Sequence, residues 1–339
     1  MQKLQAMLTY CRPHESAGER EFVDRFIKPY QPEAFTDPQG NVLAYVVGVG
    51  DHPNTPVLWS CHVDTVHKPD APVTQTIVYD AECGMVYKDD KIMPLGADDG
   101  AGVWLMLEMI DAGVPGTYIF HRGEERGGIG STGMAQHHED FLRQFKWAIA
   151  FDRRGTGDII TDQFTGTTAS TSFAQVLADK LNANAKHFAY APSPNGIFTD
   201  TANYASIIPE CTNVSVGYDN EHTPSETLDV WHLVALRDAL IEVFKHGVDL
   251  PAVRDPAVWD SWSYKAPSFE ARQYEGLGDA PMTAEDIVGL KFSRLKRYVR
   301  AASADDLTDL IYSLAEEVVY SQHIEEERDE WEPAKWQVY

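Results

Sequence analysis

Apolar residues recur at two spacings along this chain, and the spacings take turns. Short runs rich in β-branched and aromatic residues, "NVLAYVVGVG", "TPVLWSC", "GTYIFH" and "KWAIAFD", read as strands. Longer segments with helical periodicity lie among them: Ser16 to Tyr30, "GADDGAGVWLMLEMIDAG", "STGMAQHHEDFLRQF", "STSFAQVLADKLNAN" and "LDVWHLVALRDALIEVFKHG". Ser16 and Glu19 stand at capping-box spacing at the start of the first. Residues 73–95 alternate between turn signals and predict antiparallel hairpins, while "KHFAYAPSP" and "CTNVSVGYDNEHTPSE" each read as a strand and a loop. Strands alternating with helices of this length predict an α/β fold, a mostly parallel central sheet covered by helices on both faces.

After Gly247 the pattern changes. A stretch with several prolines and five aromatics precedes two amphipathic helices, "IVGLKFSRLKRYV" and "LTDLIYSLAEEVV". The division expected is therefore a catalytic domain over 1–248 and a largely helical C-terminal extension over 249–339. The apolar stripes of those helices could cover the domain or join subunits into a homo-oligomer.

Composition narrows the partners. The 339 residues carry 52 Asp and Glu against 28 Lys and Arg, a formal charge of −24. That balance argues against nucleic acid or an anionic membrane, and suits in part a protein that holds cations. No apolar run reaches the length of a membrane span, and the first twenty residues lack the apolar core of a signal peptide. Four scattered cysteines (Cys11, Cys61, Cys83, Cys211) without CxxC spacing fit reduced thiols in a cytoplasm.

The chemistry collects at the ends of the predicted strands. His62 and Asp64 follow one strand, and Asp98 and Asp99 sit in the turn before a helix. Glu124 and Glu125 follow another strand, Asp152 a further one, and His222 the last. Loops at the carboxyl ends of strands in an open α/β sheet converge on one crevice. Oxygen and nitrogen donors without thiolates suit zinc, manganese or cobalt. His62, Asp98 and Asp152 could hold one ion, and Asp98, Glu125 and His222 a second. Glu124 is left over, placed as a general base. Period-2 geometry sets His62 and Asp64 on one side, where the carboxylate could fix the imidazole tautomer. Cys61 should face the opposite side, into the core.

Other residues divide between readings. Asp200, in "FTDTANYA", could meet a substrate amine or cap a helix. Tyr218 is a candidate for substrate binding or oxyanion stabilisation. His67 reads as a solvated loop residue, and His121 as either a packed strand residue or a substrate contact. The glycines of "HRGEERGGIGS" lack a following GK[ST], which rejects a nucleotide loop.

Taken together, "HVDTV", "GADDGAG", "GEE", "FDRRG" and "EHTPSE", between about residues 56 and 245, resemble the five blocks of the di-zinc aminopeptidase superfamily. That superfamily comprises the M28, M20 and M42 families. The resemblance implies a phosphorylase/hydrolase-like zinc peptidase fold. It makes His62, Asp98, Glu125, Asp152 and His222 ligands of two divalent ions, with Asp98 bridging. It makes Glu124 the base, Asp64 the partner of His62, and the bond after Asp98 cis. Only 70 residues separate Asp152 from His222, too few for the inserted domain of M20 enzymes, and Asp99-Gly100 replaces the Asn-Arg of M42 enzymes. The M28-like form is favoured, although "HVDTV" and "HTPSE" have an M20 or peptidase-T flavour. The activity implied is removal of N-terminal residues from peptides. An N-acyl amino-acid deacylase or a carboxypeptidase is the alternative, with Arg153, Arg154 and Arg122 available for a substrate carboxylate. A non-catalytic binding protein on the same scaffold is a more distant one.

Overall fold

In the computed structural model the described residues are 1–30, 35–37, 39–47, 56–163 and 166–258. The chain opens with helices α1 (Gln2–Leu8) and α2 (Ala17–Phe22), then strands β1 (Phe35–Thr36), β2 (Val42–Val46) and β3 (Val57–His62). A hairpin of β4 (Val78–Asp80) and β5 (Met85–Tyr87) precedes helix α3 (Ala97–Asp111) and strand β6 (Gly116–His121). Helices α4 (Ile129–His137) and α5 (Glu139–Leu142) lead to β7 (Trp147–Arg153) and β8 (Asp158–Ile160). The small hairpin of β9 (Asp162–Gln163) and β10 (Gly166–Thr167) precedes α6 (Thr171–Asn182), β11 (Ala191–Ser193) and β12 (Glu210–Ser215). Two short strands, β13 (Tyr218–Asp219) and β14 (Thr227–Asp229), run into α7 (Val230–Phe244).

Among the described residues the main sheet has the order β1-β2-β6-β3-β7-β12-β8-β11. Its centre, β6-β3-β7-β12, is parallel, and antiparallel pairings flank it at β2–β6 and β12–β8. A second sheet, β13-β14-β5-β4, is antiparallel throughout. The mostly parallel sheet between helical layers is the expected architecture.

Alternation along β3 explains the layers. Val57, Trp59 and Cys61 join one apolar cluster with Trp104 of α3 and Phe244 of α7. Leu58 joins another with Met134 of α4 and Leu142 of α5. Trp59 stacks on Phe151 at 5.7 Å and meets Phe244 edge-on at 4.7 Å. Burying side chains of this size contributes roughly 1.5–3 kcal/mol each, so this pile fixes β3, β7 and α7 against one another. The strand ends that carry the chemistry therefore start from rigid ground.

The first helix is shorter than its periodicity suggests. Ser16 caps α2 as expected, its Oγ accepting from Glu19 N at 3.0 Å. The Glu19 carboxylate, however, accepts from Glu15 N at 2.6 Å and not from Ser16. After Phe22 the winding loosens to a π turn over Val23–Ile27 and then tightens over Lys28–Tyr30.

Beyond the expected boundary at 248, the next ten residues stay on the sheet. Leu250 is buried in the main cluster, and Pro251 O accepts from Trp147 Nε1 at 2.8 Å. Glu210 Oε1 accepts the amides of Val253 and Arg254, whose guanidinium reaches the carbonyls of Pro209 and Ile208. The two amphipathic helices expected further on lie outside the described residues. Among the described residues no helix is long and apolar enough to cross a membrane.

Candidate metal centre

Two sets of three donors meet at the carboxyl edge of the parallel strands. His62, Asp98 and Asp152 form one, and Asp98, Glu125 and His222 the other; a third set, His62, Glu124 and Glu125, overlaps both, and within each, one donor atom per residue lies within 4.8 Å of the rest. His62 Nε2 stands 3.0 Å from Asp98 Oδ1 and 3.4 Å from Asp152 Oδ1. His222 Nε2 stands 3.0 Å from Asp98 Oδ2 and 2.9 Å from Glu125 Oε1. Asp98 thus lends one oxygen to each set. Two donors about 2.1 Å from a tetrahedral ion lie about 3.4 Å apart, so these separations suit a divalent cation at each place. His62 has the usual posture of a metal-binding imidazole, since Nδ1 sits 3.1 Å from the backbone O of Asp64 and Nε2 faces the carboxylates.

The electrostatics point the same way. Burial pushes Glu124 and Asp152 above the ordinary carboxylate range and Glu125 up to about 7. Hydrogen bonds to Asp98 and Glu125 lift His222 to about 11. Asp98 is held low despite its burial, by His222 and His62. The carboxylates around His62 and His222 favour positive charge at these rings, as a cluster suited to cations would.

Each donor is placed by identifiable neighbours. Asp98 precedes the regular part of α3, across a cis Asp98–Asp99 bond. Glu226 holds this turn by accepting from Gly96 N at 2.8 Å and Asp98 N at 2.9 Å. Asp99 turns the other way, accepting from His62 N at 3.1 Å and Gly102 N at 2.9 Å. A Cβ on Gly102 would lie 2.3 Å from Phe151 O and 2.4 Å from Asp99 Oδ1, so only glycine fits there. Asp152 is fixed through its backbone by Asn213, whose amide bonds both its N and its O. Its carboxylate accepts from Thr199 Oγ1 at 2.6 Å and from Tyr218 OH at 3.0 Å. His222 sits in the turn between β13 and β14 with φ +64°. Glu226, Asp99, Asn213, Thr199 and the buried Arg12, which donates to Val63 O and Gly96 O, went unassigned in the sequence. Glu226 and Asp99 lie inside the five blocks, and Thr199 and Asn213 inside other quoted stretches, where nothing marked them out.

Several expectations change in detail. The Asp64 carboxylate does not hold His62; Oδ1 is 3.8 Å from the ring. It accepts the amides of Gly123, Glu124 and Glu125 at 2.9, 3.1 and 3.2 Å, clamping the turn that presents both glutamates. Tyr218 is buried on Asp152. Arg153 is taken up by Asp158, at 2.7 and 3.0 Å. Asp200 is buried below the site, 3.4 Å from His121 Nδ1, and burial raises it to about 8. His121 is a packed strand residue bonded to Tyr204 OH at 2.6 Å. His67 is buried too, between Thr65 Oγ1 and Gln75 Oε1. Cys61 is core, as alternation requires. Glu124, Asp98, Asp152 and His222 open into a cavity walled also by Arg153, Arg154, Phe198, Tyr218 and Glu221, so two of the substrate-binding candidates, Arg153 and Tyr218, border it.

A mostly parallel sheet ending in a six-donor acidic cluster defines a scaffold for hydrolytic chemistry. The profile of peptidase family M28 matches residues 41–239, more than half of the chain, and the chain belongs to that family. No curated protein sequence matches it. Among solved structures it is similar to aminopeptidase PepT from Bacillus cereus (TM-score 0.57, 16% identity, 72% of this chain and 97% of that one). It is similar also to a tripeptidase from Staphylococcus aureus (0.59, 14%, 72% and 96%). An aminopeptidase from Desulfurococcus kamchatkensis gives 0.54, 12%, 73% and 95%. At such identities the likeness establishes the fold.

Proposed function

We propose that this chain is a metal-dependent aminopeptidase that hydrolyses the N-terminal residue of peptides. Membership of a peptidase family supports hydrolysis of peptide bonds, and the aminopeptidases among its structural neighbours agree with the direction of cleavage. The observation that carries the reading is the cavity itself. Asp98, Asp152 and His222 of the donor sets share its wall with Glu124, so a peptide bond admitted there meets the cation-holding residues and the base together.

His62, Asp98 and Asp152 would hold one divalent cation, and Asp98, Glu125 and His222 the other. Zinc is the first choice for this donor set, with cobalt and manganese also compatible. When bound, such ions polarise the scissile carbonyl and make water a better nucleophile at neutral pH. Glu124 accepts the proton of the attacking water and returns it to the departing amine. Asp64 keeps Glu124 and Glu125 in register by holding their backbone turn, and Tyr218 and Thr199 orient the Asp152 carboxylate.

The test is turnover of matched dipeptides with free and acetylated N-termini, in the presence of zinc, cobalt or manganese. Free-amine substrates should be cleaved at least tenfold faster. Equal or better cleavage of the acetylated set would instead establish the deacylase or carboxypeptidase alternative.

A further inference from the structure

One cation lies sealed behind the donor cluster. Arg12 is fully buried on the segment between α1 and α2, and its guanidinium stacks over the Phe22 ring at 4.5 Å. It reaches two of the turns that carry the first donor set. Nε donates to Val63 O at 2.8 Å, and Nη2 donates to Gly96 O at 3.0 Å. Val63 stands between His62 and Asp64, and Gly96 stands two residues before Asp98. The backbone of Arg12 is itself fixed by Thr65: its N donates to Thr65 Oγ1 at 3.1 Å, and its O accepts from Thr65 N at 2.9 Å. The guanidinium bonds among the described residues all go to backbone carbonyls, Tyr10 O at 3.4 Å being the third. Asp99, Glu226 and Asp64 supply the nearby negative charge.

We propose that Arg12 is a positioning residue of the first cation site, whose fork ties the His62–Asp64 turn to the Asp98 turn and sets the spacing of the donors. This rests on the metal reading of the site and not on which end of a peptide is cut. A guanidinium is a rigid planar fork, and here its two arms end on two different turns. Each tied carbonyl is one or two residues from a donor. A shift there is passed through stiff peptide planes to His62 Nε2 and Asp98 Oδ1, which stand 3.0 Å apart. Gly96 is gripped at both ends, its N on Glu226 Oε2 at 2.8 Å and its O on Arg12. Outer partners that orient metal ligands are typically worth about 10–100-fold in metal affinity. Charge alone would act in the opposite direction. A fixed cation repels an arriving divalent ion, so on that account losing Arg12 would tighten binding.

The experiment uses the full-length protein loaded with cobalt(II), as wild type, Arg12→Lys and Arg12→Met. Lysine keeps the charge but replaces the fork by one nitrogen on a shorter stem, and methionine removes charge and fork together. Titration with a chelator, followed by the visible bands of cobalt and by metal content, gives the affinity of each ion. At least one ion should bind about 10–100-fold more weakly in both variants, with altered cobalt bands, at a temperature where circular dichroism shows them folded. If Arg12→Met does not fold, Arg12→Lys decides alone. Wild-type affinity and bands in Arg12→Lys, or tighter binding in Arg12→Met, overturn the proposal. So does a lowered melting temperature with affinity and bands unchanged, the mark of a residue that only supports the fold. Failure of the metal reading looks different: a wild-type protein that takes up no cobalt refutes the centre itself, whereas variants that match a cobalt-binding wild type refute only the role of Arg12.

Discussion

Glu124 and Glu125 are neighbours of identical chemistry, hung from one turn by one carboxylate, yet they are assigned different work. Glu125 Oε1 is 2.9 Å from the His222 ring within the donor set, whereas Glu124 lines the cavity. Glu124→Gln should leave metal content near wild type and lower turnover by about 10²–10⁴-fold, the contribution of a positioned base. Glu125→Gln should lose activity through loss of one ion. Paired kinetics and elemental analysis decide it: metal loss from the first variant with both ions kept in the second would reverse the roles. At this scale the sequence showed which residue types gather, because each candidate donor sits in a short block beside glycine or at a strand end. It did not show which atom of Asp64 would be used. Period-2 geometry places a side chain on one side of a strand, but the choice between a ring 3.8 Å away and three amides near 3 Å belongs to the loop after β6.

Elements were legible where they are long and buried. The runs ending at His62, His121 and Arg153 fold as strands, and α3 and α7 follow their apolar spacing. Strands of two or three residues, such as β8, β9 and β13, carry too few positions to show a period. They exist because loops of the site pair there. The segment after Ser16 illustrates the same limit, since its continuous periodicity winds as three kinds of helix. Its cap also has a titration of its own. Glu19 is buried, and burial lifts it to about 7. A carboxyl whose value rises on folding favours the fold in its protonated form. That contribution is complete below about 4.5 and is lost as pH climbs through 7. Glu19→Gln keeps an acceptor for Glu15 N and cannot ionise. Relative to wild type it should therefore gain about 1–3 kcal/mol between pH 5 and pH 8, read as a few degrees in melting temperature. A difference independent of pH would show that Glu19 ionises freely.

For the whole molecule, the alternation of strands and helices was enough to predict the sheet and its two covered faces. The boundary expected at 248 falls just before a segment, Pro251 included, that is bonded to Trp147 and Glu210. Metal binding should be a property of the fold as a whole, since its donors come from segments 160 residues apart, His62 to His222. Elemental analysis of protein purified without chelator should approach two ions per chain. Chelation should lower the melting temperature, each site contributing about 2.7 kcal/mol at a hundredfold excess of ion over its dissociation constant. Saturation at a single ion with zinc in excess would remove Asp98 from its bridging role.

The spread of those donors also gives the two sets different birthdays. The set of His62, Asp98 and Asp152 is complete once Asp152 has been synthesised, but the set of Asp98, Glu125 and His222 waits for 70 more residues. Glu226, which grips the Asp98 turn, comes later still. Ribosomes add about 5–20 residues per second, so roughly 4–14 s separate the two completions. A nascent chain therefore passes through a stage in which the donors of one set exist without those of the other, while Thr199, Asn213 and Tyr218, which fix Asp152, are still to come. The Asp98 turn is gripped only when Glu226 arrives, so the two sites would be completed together, and loading would follow folding and not the order of translation.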